Sequence, residues 1–245
     1  MKIIPDITYK EGLMFDLYMP DEGVFDLFIW FHGGGLQWAS RKAAAPDFAE
    51  SFCNRGVAVA SVEYRMYPDA KFPDYIVDCA ESVRYLFDHI KEYGDCRRIF
   101  VGGTSAGGYL SMMLCFDRRY FDAVGLKPTD IDGYIHDAGQ PTVHFNILNH
   151  SGEDSKRVIV DERAPLYFIG LDKAYSPMLF LVSDNDMFAR REQILLTVKT
   201  LEHFGHTDNV YLKEQHGKHC EYTETKDENG VNIFATLVCD FIDNL

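Results

Sequence analysis

Basic residues are scarce in this sequence: 24 Lys and Arg stand against 38 Asp and Glu, a formal net charge of −14 at pH 7. A surface of that sign repels phosphate backbones and anionic headgroups, which argues against nucleic acid or an acidic membrane as a partner. The acids form no tail or block, so they read as a solvated surface. Paired cysteines are missing as well. Cys53, Cys79, Cys96, Cys115, Cys220 and Cys239 are scattered, with no C-x-x-C pair, and are expected to be reduced thiols. Nowhere do about 18 apolar residues run together, and the opening MKIIPDITYKEG has no apolar core of a signal peptide. Neither a membrane span nor secretion is indicated, and a cytoplasmic location is expected. Repeats, low-complexity tracts and linkers are absent too, so one domain spanning residues 1–245 is expected, a length α/β folds commonly reach.

What is abundant is apolar and aromatic residues, 47% and 14% of the chain. Apolar runs bounded by turn signals recur at 15–19, 25–31, 57–64, 98–103, 178–183 and 209–214 and read as strands, several buried on both faces. Helical patterns lie between them. Ile76, Cys79, Ala80, Val83, Phe87 and Ile90 form one stripe, with Gly94 placed to end it; a second helix runs from Arg190 to Phe204, stopped by Gly205. Phe234, Leu237, Val238, Phe241 and Ile242 give a closing amphipathic helix. Strands alternating with helices predict an α/β fold with a mostly parallel central sheet flanked by helices on both faces. Residues 137–175 interrupt the alternation with mixed polarity, and a connection of that length is read as a small cap over a site.

Two glycine-rich stretches carry the chemistry. In RRIFVGGTSAGGYLSMML, Ser105 sits between a strand and a helical segment, with Gly103 and Gly107 two residues to either side. A strand-to-helix turn this sharp strains the serine backbone and leaves no room for side chains at those two positions, which is the physical content of G-x-S-x-G. The second stretch, HGGG at 32–35, directly follows the strand FDLFIWF. Its glycines let backbone N–H groups turn toward a developing oxyanion; Gly34 and Gly35 are the expected donors with Ala106, and Gly33 is a further candidate. HGGG lacks the spacing of a dinucleotide fingerprint and the Lys-Ser/Thr of a phosphate loop.

A serine nucleophile needs a base and an acid that orients it. After residue 105 the loop following 178–183 offers Asp184 and Asp186, and the stretch following 209–214 offers His216 and His219. A calcium loop starting at Asp184 would need glycine where Ala189 stands. The pairs His216/His219 and His203/His206 lack a third zinc ligand at a recognisable spacing. Cys220 has no glycine elbow and reads as a packing residue.

HGGG followed by G-x-S-A-G-G resembles the α/β-hydrolase fold, specifically the carboxylesterases similar to hormone-sensitive lipase. Tyr64, Arg65, Pro68, Phe72 and Pro73 match the Y-R-x-x-P-x-x-x-F-P segment of that branch, and the likeness extends from about residue 24 onward. The resemblance implies the chain order Ser, acid, His. Its G-x-x-D loop corresponds to Ser183–Asp186, with serine replacing glycine, and favours Asp186 over Asp184; its G-x-H corresponds to Gly217–His219 and favours His219 over His216. It implies a serine esterase without a cofactor or metal, acting on a small-molecule ester. Two features depart from it: only 31 residues precede HGGG, too few for the long N-terminal helical cap of larger members, and Thr104 stands where many relatives have an acid. The compact form is similar to small feruloyl- and acetyl-esterases acting on plant polysaccharide. Gln37, Trp38, His144, Phe145 and Tyr167 are the expected pocket residues. An amide hydrolase using the same triad, or a non-catalytic binding protein on a hydrolase scaffold, are the alternatives.

Overall fold

The computed structural model describes residues 1–245. One eight-stranded sheet runs through the molecule in the order β1-β2-β4-β3-β5-β6-β7-β8. Strands β1 (Lys2–Lys10) and β2 (Leu13–Met19) form an antiparallel hairpin, and β2 pairs antiparallel with β4 (Val57–Val62). From β4 onward every pairing is parallel, through β3 (Phe25–Phe31), β5 (Cys96–Thr104), β6 (Gly133–Asp137), β7 (Met178–Asn185) and β8 (Val210–Lys218). This is the predicted mostly parallel sheet. Most of the apolar runs mark strands covered on both faces, as β3, in which every residue is buried, shows, whereas the run at 209–214 forms the edge strand β8, which has no buried residue. Two strands lie outside the predicted set. The exposed edge strand β1 has little apolar character, and GYIHD of β6 is short and carries His136 and Asp137.

Helices cover both faces. One face packs α2 (Asp74–His89), the buried α3 (Ala106–Phe116) and α7 (Arg190–His203); the other packs α1 (Ala45–Cys53) and α8 (Ile233–Asp243) around an aromatic cluster of Phe28, Phe48, Phe52 and Phe234. The predicted stripe of α8 is buried except for the half-buried Leu237, and Asn232 caps the helix by accepting from Ala235 N at 2.9 Å. Gly205, at φ +86°, ends α7 as expected. Two expectations about α2 need correction. Gly94 does not cap it, since the helix ends at His89 and runs into a short 3-10 turn; Gly94 is small because a Cβ there would lie 2.9 Å from the ring of Phe25. Phe87 is 37% exposed, and Leu86 faces the core in its place.

The segment 137–175 is less of an insert than its composition suggested. It begins on the last residue of β6, and its first part packs into the main core through Val143, Ile147 and Leu148 around α5 (Phe145–His150). The following loop is exposed, and α6 (Pro165–Phe168) returns to pack on α3. No helix is long and apolar enough to cross a membrane.

Candidate active site

Parallel strands deliver their carboxyl ends to one edge of the sheet, and the residues of interest lie there. Ser105 follows β5 directly and precedes α3, with φ 57° and ψ −111°. A non-glycine residue reaches that region only where its surroundings hold it. Here the Ser105 amide donates to Asp137 O at 2.8 Å and its carbonyl accepts from Tyr109 N at 3.0 Å. Close approach explains the flanking glycines. A Cβ on Gly107 would lie 1.9 Å from Phe31 O, and one on Gly103 would lie 2.5 Å from the backbone of Gly107.

The candidate acid and base follow β7 and β8, two and three strands away from β5 in the sheet. His219, just past β8, accepts at Nε2 from Ser105 Oγ at 2.8 Å, and its Nδ1 donates to the Asp186 carboxylate at Oδ1 over 2.5 Å. Asp186 also accepts from Met187 N at 2.7 Å. Burial pushes its carboxyl up, but the hydrogen bond and charge of His219 outweigh this and hold it below the ordinary carboxylate value. Ser183, in place of the family's glycine, donates from Oγ to Lys218 O at 2.6 Å and so ties the acid loop to the residue before His219. The residues passed over form a pair of their own: Asp184 accepts from Gly217 N at 3.0 Å and lies 2.7 Å from His216 Nδ1, with His216 almost wholly exposed. They brace the end of β8 away from Ser105.

On the opposite side of Ser105 stands the HGGG loop. Gly34 and Gly35 have φ of +97° and +63°, and a Cβ on Gly34 would lie 1.9 Å from Trp38 O. Tyr64 holds the loop from beneath, donating to His32 O at 2.8 Å with its ring stacked on His32, and Asn146 donates to Gly35 O at 2.7 Å. The amides of Gly33, Gly34 and Gly35 and that of Ala106, at the N-terminus of α3, donate to no acceptor in the protein. The three glycines border a cleft of about 430 Å³ that also exposes Ser105, the residue before Ala106, together with His219, Trp38, Phe145 and Met187. Of the five expected pocket residues, Trp38 and Phe145 line this cleft, and Gln37, His144 and Tyr167 do not. His144 is buried, its Nδ1 accepting from Asn146 N and its ring edge-on to Tyr109. Gln37 is half-buried in the bend that its amide closes on Gly34 O and does not line the cleft, and Tyr167 lies by Phe168 in a separate depression.

One group beside the triad went unforeseen. Asp137, at the end of β6, is fully buried, accepts from the hydroxyl of Tyr222, and has no partner for Oδ2. Burial pushes its carboxyl up to about 7. The signal was hidden because β6 itself was not recognised. Thr104, in place of an acid, accepts at Oγ1 from Trp30 Nε1 at 3.1 Å.

This geometry agrees with the comparisons. The BD-FAE family model matches residues 15–143, more than half of the chain. The chain belongs to the BD-FAE family. It is similar to an AB hydrolase superfamily protein of Schizosaccharomyces pombe, 35% identical over 96 residues that are 38% of this chain and 28% of that one. The chain spans less than half the length of the curated relatives it matches. Among solved structures, a thermophilic esterase of Thermogutta terrifontis superposes with TM-score 0.74 at 20% identity, covering 98% of this BD-FAE member and 90% of the esterase. A truncated carbohydrate esterase from gut microbiota superposes with TM-score 0.77 at 17% identity, covering 100% and 96%. These likenesses establish the fold as that of the α/β-hydrolases.

Proposed function

We propose that the protein is a serine carboxylesterase. The observation that carries this reading is the unbroken chain Ser105 Oγ, His219, Asp186, facing amides of Gly34, Gly35 and Ala106 that have no other acceptor. Ser105 Oγ attacks the ester carbonyl carbon while His219 Nε2 takes the hydroxyl proton; Asp186 stabilises the imidazolium. The negative charge on the former carbonyl oxygen meets the glycine-loop and Ala106 amides, at the positive end of α3. Collapse breaks the bond to the alcohol oxygen, which leaves with the proton from His219. Water then gives a proton to His219 and attacks the acyl-serine; the tetrahedral adduct expels Ser105 Oγ, which recovers that proton, and the acid departs. No step calls on a cofactor.

The substrate class is a small or aromatic carboxylic ester, in keeping with a cleft flanked by Trp38 and Phe145, and acetyl or feruloyl esters of plant polysaccharide fit that description. The segment 137–175 serves as a partial cap through Phe145. Hydrolysis of p-nitrophenyl acetate by the wild type and by Ser105→Ala tests the reading: turnover should fall by about 10³-fold or more in a variant that remains folded. Equal rates in the two proteins would exclude Ser105 as the nucleophile; no turnover in either would favour an amide substrate or a binding role.

A further inference from the structure

Phe145 and Met187 line the cleft at Ser105, and they also line a second cavity of about 400 Å³ beyond it. Lys156 and Arg157, from the exposed loop after α5, and Arg190, at the start of α7, contribute cations to its wall, together with the exposed apolar side chains of Val158 and Phe188. No aspartate or glutamate lines it, in a chain where acids outnumber bases 38 to 24. Arg157 and Arg190 are also the exceptions among the arginines. Every other one lies within salt-bridge distance of a carboxylate. Arg190 is 4% exposed and donates only to neutral oxygens, those of Ala138 and Gln140. The charge of Asp186 reaches it through space, but the oxygens of Asp186 are engaged by His219 and backbone amides. A buried cation without an ion-pair partner is costly, and two further unpaired cations beside it add a field of the same sign.

We propose that this cavity is a carboxylate subsite, and that the ester cleaved at Ser105 carries an acid group on the far side of a short apolar spacer. Arg157 and Lys156 take the acid, Arg157 in the two-pronged geometry that suits a carboxylate, and Phe145, Met187 and Phe188 take the spacer. The inference rests on the reading of Ser105 as nucleophile.

Two matched pairs of esters test it and tell the acyl side from the alcohol side: mono-4-nitrophenyl adipate against 4-nitrophenyl hexanoate, and 4-carboxyphenyl acetate against its methyl ester. In one pair the acid should exceed its neutral partner in kcat/KM by roughly tenfold at low salt, as two partly exposed ion pairs allow. The excess should shrink in about 0.5 M NaCl, collapse to near one in Lys156→Ala/Arg157→Ala, and persist in the control Lys91→Ala, in the turn before β5 at the edge of the sheet opposite the strands' carboxyl ends. The proposal is overturned if neutral esters are cleaved at least as well as the acids in both pairs, or if the preference survives the double substitution. If no ester is cleaved, the parent reading has failed, and calorimetric titration of the Ser105→Ala protein with the adipate ester decides the subsite alone. Binding tighter than that of the hexanoate ester and weakened by salt supports it; equal binding refutes it.

Discussion

Replacing Asp137 by Asn should stabilise the protein, and by an amount that grows with pH. The carboxyl is fully buried, Tyr222 donates to one oxygen and the other has no partner. Burial raises it from 3.8 to about 7 in the folded chain. Because the folded state holds the proton more tightly, the cost of this group is absent below the unfolded value, grows as pH rises and is complete above the folded one. Between pH 5 and pH 7 the slope of about 1.4 kcal/mol per unit gives roughly 2 to 3 kcal/mol. Asparagine has no charge to desolvate, and its carbonyl can still accept from Tyr222. Titrating groups not coupled to Asp137 are common to both proteins and cancel from the difference; His219 and Asp186, which feel its charge, shift it more weakly than burial does. The variant's Tm, relative to wild type, should therefore climb by about 5 to 10 °C between pH 5 and pH 7.5 and then level off. Calorimetric scans of both proteins across that range decide it. A Tm difference that stays constant or falls with pH would refute the argument that Asp137 is a buried acid whose charge the fold tolerates poorly.

Other outcomes follow from single contacts. Asp186→Asn should lower kcat by about 10³- to 10⁴-fold in the nitrophenyl assay, because the amide leaves His219 in the wrong tautomer, whereas Asp184→Asn should stay within about threefold, since its partner His216 is exposed and away from Ser105; comparable losses would mean that the acid is misassigned. Ser183→Ala removes the bond to Lys218 O and should lower kcat by roughly tenfold with little change in KM, through a less well-held His219; an unchanged kcat would show the tie is dispensable. Gly107→Ala forces a methyl group against Phe31 O and should cost about 3 kcal/mol or more in urea unfolding; an unchanged midpoint would show that the elbow has room to relax.

The strands with uninterrupted apolar runs, the amphipathic α8 and the two glycine motifs were legible in the sequence because each is a local requirement: burial on both faces, one apolar stripe, or a backbone with no room for Cβ. The edge strand β1 and the short β6 were not, since one faces solvent and the other ends in two polar residues whose burial only the tertiary structure supplies. The chain order Ser, acid, His that the resemblance implies left Asp184 and Asp186, and His216 and His219, as candidates. Resemblance favoured one of each, and the tertiary structure alone shows why: Ser105, Asp186 and His219 come from three different strands, and only the parallel registry of β5, β7 and β8 brings them within hydrogen-bond reach. The same holds for what surrounds them. That His144 is a core residue, that Tyr167 faces another depression and that Asp137 lies buried beside the triad depend on how α5, α6 and β6 pack, and packing between distant segments leaves no periodic mark on the chain.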